Sequence, residues 1–183
     1  MPASSPDFRT QIAEYLWTFP RSYKVVDLGA GEGTYADLLA GHFHYIHAIE
    51  ACQDYVDKYN LESKYTDVFV QDVCGIKVIG VYDIAILGGV LEHLSVECAT
   101  NLLYRLSEDC TEIIVKVPYT TPQGEVNGNP YEVHIQNDLT HNIVLERYPM
   151  LDSWLSNARC GVYRLKRESK TIHYGDTSYY KDD

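Results

Sequence analysis

Gly29, Gly31 and Gly33 alternate with other residues in the stretch DLGAGEG (27–33), directly after the apolar run KVV. A glycine loop where a strand becomes a helix brings backbone N–H groups and a helix N-terminus close to a ligand, which is how chains approach nucleotides. Three acids accompany it: Asp27 before the first glycine, Glu50 at the end of YIHAIE, and Asp72 after FVQ. A carboxylate placed like Glu50 accepts two ribose hydroxyls at once. A second set of reactive residue types follows. Glu92 and His93 stand in LEHL, and Tyr131, Glu132 and His134 in GNPYEVH. Imidazoles and carboxylates suit proton transfer, the binding of a hydroxyl-rich molecule, or a metal. Glu92, His93, Glu132 and His134 would converge if both segments leave the same sheet edge. No spaced ligand motif marks a metal centre, however, and none is expected.

The glycine spacing narrows the ligand. A dinucleotide fingerprint reads G-x-G-x-x-G, with an acid about 20 positions further on. Here the pattern is G-x-G-x-G, and Thr34 takes the place of the third fingerprint glycine. Glu50 keeps the ribose contact while the spacing for a pyrophosphate is lost. An NAD-type reductase domain therefore stands as an alternative only.

These residues need a scaffold, and the sequence supplies one. Strand-like runs KVVDLG, YIHAIE, TDVFVQDV, YDIAILGG and EIIVKVP alternate with the helical segments TYADLLAGHF, CQDYVDKYN and SVECATNLLYRLSED. This alternation predicts an α/β fold with a doubly wound, mostly parallel sheet. An N-terminal helix is predicted over residues 1–20, capped by Ser5, with Pro6 in its first turn. It either packs on the sheet or folds over the ligand pocket. Residues 120–134 are rich in Gly, Pro and Asn and read as a long functional loop. A short helix capped by Asn137 or Asp138 follows. MLDSWLS and RCGVYRLKR then read as a hairpin turning at Asn157 and Ala158, which makes the last strand antiparallel. The α/β domain spans 21–168, and the polar, tyrosine-rich tail 169–183 is expected to be flexible.

Composition bounds the partners. The 183 residues suit one domain, and the net charge of -11 comes with no run of Lys and Arg. Nucleic acid and anionic membrane surfaces are disfavoured. The start MPASSPDFRT lacks the pattern of a secretory leader. Five widely spaced cysteines with no C-x-x-C predict reduced thiols and a cytoplasmic location. Oligomeric state is not legible.

Four elements in order, VVDLGAGEG, IHAIE, FVQDV and YDIAILGGVLEHL, resemble the class I S-adenosylmethionine-dependent methyltransferases. The resemblance covers about residues 21–167 and implies a seven-stranded Rossmann-like sheet closed by an antiparallel hairpin strand. It implies S-adenosyl-L-methionine as cofactor, with S-adenosyl-L-homocysteine as product. Gly29 and Gly31 would lie against it, Asp27 would hold its methionyl amine, and Glu50 its ribose. Asp72 would accept the adenine amine, Val73 would pack on the adenine, and a backbone carbonyl near Gly88 would meet the methionyl amine. The acceptor implied is a small molecule, hydroxylated or sugar-like, with His93, His134 and Glu132 as candidate catalytic residues. The motif N/D-P-P-Y of amino-methyltransferases is absent after the fourth strand. A catalytically inactive, partner-dependent relative is the remaining alternative.

Overall fold

The computed structural model describes residues 6–76 and 81–165. The tail 169–183 and the proposed cap Ser5 lie outside them. The apolar runs become β1 (Lys24–Leu28), β2 (Tyr45–Glu50), β3 (Asp67–Val70), β4 (Ile84–Gly88) and β5 (Glu112–Pro118). The hairpin is β6 (Leu151–Ser156) and β7 (Cys160–Leu165). Together they form a seven-stranded sheet of order β3-β2-β1-β4-β5-β7-β6. β1 to β5 pair in parallel, and β7 runs antiparallel between β5 and β6.

The two-residue period of a strand sorts the core into two layers. Val25, Ile84, Ile86 and Ile114 face α1 (Arg9–Leu16) and α2 (Thr34–Leu39). Val26, Ala85, Leu87 and Val115 face α4 (Val96–Asp109) and α5 (His141–Arg147). The central strands are apolar on both faces because helices cover both. α4 follows the prediction closely. Ser95 Oγ accepts the Cys98 N–H at 3.1 Å, and Ala99, Leu102, Leu103 and Leu106 form a fully buried stripe. The short α3 (Gln53–Lys58) connects β2 to β3.

Four local expectations are corrected. α1 begins at Arg9, because Phe8 at its N-cap has the left-handed φ of 64° and the helix cannot extend upstream. It lies on the sheet face, where Ile12 and Leu16 are buried and the Tyr15 hydroxyl donates to Glu112 Oε2 at 2.8 Å. α5 is capped by Thr140, whose Oγ1 accepts the Ile143 N–H, while Asp138 pairs with Arg147 at 2.7 Å. The hairpin turns one residue later than expected, at Ala158 and Arg159. The Asn157 side-chain oxygen accepts the N–H groups of Arg159 and Cys160 and fixes that position. Finally, Cys74 and Cys98 are disulfide-bonded with Cα atoms 5.6 Å apart, whereas Cys52, Cys110 and Cys160 are thiols. The fold brings the turn after β3 against the first turn of α4, a proximity that 24 residues of separation do not reveal. Among the described residues no helix is long and apolar enough to cross a membrane.

Candidate functional site

The strand order reverses between β1 and β4, and a crevice opens outside their carboxyl ends. A cavity of about 860 Å³ lies there, lined by Asp27, Gly29, Gly31, Glu50, Asp72, Val73 and Gly88 on one side. Glu92, His93, Glu132 and His134 line the other. The site residues expected from the sequence therefore share one cavity.

The glycine loop is shaped by backbone geometry that side chains resist. Gly29, Gly31 and Gly33 have φ of 68°, 53° and 77°. At Gly29 a Cβ would also meet Val90 Cγ2 at 2.7 Å, so both conformation and space require glycine. The Gly29 N–H donates to the Ile49 carbonyl at 2.7 Å, tying the loop to β2. Lys64 holds it from outside through the Glu32 carbonyl at 2.9 Å and Asp37 at 2.8 Å.

Glu50 is buried at the end of β2, and its carboxylate accepts the Gly31 N–H and the Cys52 N–H, each at 2.9 Å. A carboxylate has about four acceptor positions, so two remain for hydroxyl donors. Asp27 is buried below the loop, and its Oδ2 accepts the Tyr65 hydroxyl at 2.5 Å. Burial pushes the Asp27 carboxyl up to about 7; the Tyr65 hydrogen bond opposes the shift and the Glu50 charge adds to it. Asp72 caps a short turn by accepting the Cys74 N–H at 2.8 Å, so its turn-forming role is real. Its side chain still lines the cavity beside buried Val73. Gly88 has no room for a side chain: a Cβ there would stand 2.3 Å from Tyr35 Cε2.

On the far wall, Glu92 and His93 sit in a tight turn, Leu91–His93, directly after β4. Glu92 is 3% exposed, and its Oε2 has no hydrogen-bond partner among the described residues. Burial raises its carboxyl to about 8. Burial, and after it the nearby His134, lower the His93 imidazole to about 4. His93 is therefore neutral at pH 7 and a weak proton acceptor. Its Nδ1 lies 3.2 Å from the Val133 carbonyl, and His134 Nδ1 makes a short contact with the Thr121 carbonyl. The two rings meet edge to face with centroids 4.6 Å apart. One ligand-type atom from each of Glu92, His93 and His134 lies within 4.8 Å of the other two. Glu132 stands outside that group. The Gln123 side chain donates to its carboxylate at 3.1 Å, and burial raises its pKa.

Several contributors were not foreseen from sequence. Gln136 is buried and donates to the carbonyls of Leu91 at 2.7 Å and Leu94 at 3.0 Å. Its own backbone N–H donates to the Glu92 carbonyl at 2.9 Å. This residue clamps the loop bearing His134 against the turn bearing Glu92 and His93. Tyr65 orients Asp27, Tyr35 fills the space above Gly88, and buried Lys116 lines the cavity. Their sequence signals are those of ordinary core tyrosines and a strand lysine, so only the tertiary fold identifies them.

No protein-family model matches the chain, and no curated protein does. Solved structures do. The N-terminal domain of EvdMO1, solved with S-adenosylhomocysteine bound, is 16% identical with a TM-score of 0.65, covering 90% of this chain and 82% of that one. Magnesium protoporphyrin IX methyltransferase from Synechocystis PCC 6803, with S-adenosylmethionine bound, is 13% identical with a TM-score of 0.57, covering 85% and 77%. The 1,6-didemethyltoxoflavin-N1-methyltransferase of Burkholderia thailandensis, with its substrate and S-adenosylhomocysteine, is 15% identical with a TM-score of 0.61, covering 85% and 76%. The likeness to these structures, with this chain's own strand order and antiparallel C-terminal hairpin, gives it the fold of the class I S-adenosylmethionine-dependent methyltransferases.

Proposed function

We propose that the chain transfers a methyl group from S-adenosylmethionine to a hydroxylated, sugar-like small molecule. The observation that carries this reading is the buried Glu50 carboxylate, held by the Gly31 and Cys52 N–H groups with acceptor capacity to spare. It faces the same cavity as Glu92, His93, Glu132 and His134. The residues present suit the cofactor. Glu50 takes the ribose hydroxyls, and the side-chain-free backbone of Gly29 and Gly31 lets the ligand approach. Asp27 would hold the methionyl ammonium, Asp72 the adenine amine and Val73 the adenine face, and the carbonyl near Gly88 would meet the methionyl amine. The G-x-G-x-G spacing, with Thr34 at the third fingerprint position, disfavours the dinucleotide alternative.

When bound, S-adenosylmethionine supplies a methyl group that leaves sulfur for the acceptor oxygen, the S–C bond pair staying on sulfur. The protein's task is alignment, exclusion of water and removal of one proton. The cavity walls provide the first two. His93, His134 and Glu132 form the polar wall where a hydroxyl would bind and lose its proton. A cavity of about 860 Å³ lies within the usual range of roughly 300–1,000 Å³ for small-molecule sites.

The test is transfer of a labelled methyl group from S-adenosylmethionine into a panel of polyhydroxylated metabolites, with Glu50→Ala in parallel. Label entering a hydroxyl group with the wild type and not with the variant supports the reading. Label entering only amines would remove the hydroxylated acceptor while leaving methyl transfer in place.

A further inference from the structure

We propose that Glu92, His93 and His134 form a binding site for one divalent first-row transition ion, in the range Mn²⁺ to Zn²⁺. The sequence pattern alone predicts no metal; three structural observations argue for one.

The first is convergence. One ligand-type atom of each residue lies within 4.8 Å of the others, and His93 Nε2 is 4.0 Å from Glu92 Oε1. One ion with bonds of about 2.1 Å spans ligand atoms up to about 4 Å apart. The pair from Glu92 and His93 already meets that limit, and no pair in the group is more than 4.8 Å apart.

The second is the state of each donor. Nδ1 of both imidazoles faces a backbone carbonyl, that of Val133 for His93 and that of Thr121 for His134. A carbonyl only accepts, so each ring carries its proton on Nδ1 and leaves Nε2 as the lone-pair nitrogen. Holding a ligating imidazole through its other nitrogen is how proteins fix tautomer and orientation at metal sites. Glu92 adds a carboxylate that is 3% exposed, with Oε2 unpartnered among the described residues. An unsatisfied buried carboxylate oxygen is costly, and a cation beside it removes the cost.

The third is support from the scaffold. Gln136 binds the turn of Glu92 and His93 to the loop of His134 through three hydrogen bonds of 2.7 to 3.0 Å. Arg147 and Tyr148 in turn donate to the Gln136 side-chain oxygen, at 2.8 and 2.7 Å. The ligand-bearing segments are therefore held in place before any ion binds.

Two imidazoles and one carboxylate leave coordination positions open, and all three residues line the cavity. An acceptor hydroxyl can occupy one. An ion held there would weaken the O–H bond of such a hydroxyl, and Glu132, which lines the same cavity, would take the proton while the electron pair stays on oxygen. This rests on the proposed function and deepens it, because it assigns the acceptor as a compound that presents a hydroxyl to the ion.

The test uses the full chain, stripped with EDTA and titrated with CoCl₂ while the visible absorption of the bound ion is followed. Zn²⁺ and Mn²⁺ are then titrated calorimetrically. One equivalent is expected to bind, and His134→Ala and Glu92→Gln should each weaken it by about 100-fold or more. Circular dichroism of the same variants reports whether they fold. Should one fail to fold, the loss of the His93 and His134 ring proton signals on adding paramagnetic Co²⁺ to wild type is the second measurement. No binding of these ions at millimolar concentration overturns the proposal, as does binding unchanged in both variants. Metal binding without S-adenosylhomocysteine binding would uphold this site and overturn only the cofactor reading.

Discussion

At Asp27, stability and cofactor binding should respond in opposite directions to one substitution. Its carboxyl is buried and ionises at about 7 in place of 3.8. The unfolded chain therefore gives up this proton at lower pH than the native one. The stability carried by the neutral carboxyl is full below about pH 4, is lost as pH rises, and is gone above about pH 7. At about 1.4 kcal/mol per unit, the whole loss is on the order of 4 kcal/mol, of which roughly 1.5 has gone by pH 5. Asp27→Asn removes the titrating group while its side-chain carbonyl still accepts the Tyr65 hydroxyl. Between pH 5 and pH 8 the wild type should lose about 2–3 kcal/mol relative to the variant, or roughly 5–10 °C in melting temperature. Thermal unfolding of both proteins at the two pH values, followed by circular dichroism, measures this. At pH 8 the variant should be the more stable protein, yet bind S-adenosylhomocysteine at least about 10-fold more weakly, having lost a charge-assisted partner for the ammonium. Parallel pH curves for the two proteins, or a variant less stable than wild type at pH 8, would refute the reasoning.

Glu50→Gln converts one acceptor facing the Gly31 or Cys52 N–H into a donor. Calorimetry should show S-adenosylhomocysteine affinity falling about 30-fold or more, from a loss of about 2 kcal/mol. Gly88→Ala places a methyl 2.3 Å from the buried Tyr35 ring and should cost about 1–3 kcal/mol by overpacking. Urea unfolding measures that loss, and adding Tyr35→Leu should recover part of it. Cys98→Ser opens the cross-link to Cys74 and should cost about 3 kcal/mol. Its melting temperature should match that of the wild type kept in reductant; a gap that persists there would assign the cost to packing.

What could be read from the sequence was what local chemistry fixes. β1, β4 and β5 announce themselves because buried parallel strands are largely apolar runs, and α4 because its stripe and Ser95 cap are both local. Gly29, Gly31, Glu50, Asp72 and Gly88 follow from their places at strand ends, and all of them reach the cavity. The errors lay where tertiary contacts choose between local options. Thr140 caps α5 because Asp138 is engaged by Arg147. The Asn157 side chain, more than the turn dipeptide, sets the hairpin. Cys74 and Cys98 meet only once β4 and α4 are in place. The grouping of Glu92, His93 and His134 depends on Gln136, whose role is written in three long-range hydrogen bonds and in no motif.

The central claim is that the cavity above β1 and β4 holds S-adenosylmethionine, and calorimetry with S-adenosylhomocysteine and NADH in parallel tests it most directly. One equivalent of S-adenosylhomocysteine should bind with micromolar affinity, strongly weakened by Glu50→Ala, and NADH should give no heat. Saturable binding of NADH with none of S-adenosylhomocysteine would contradict the account.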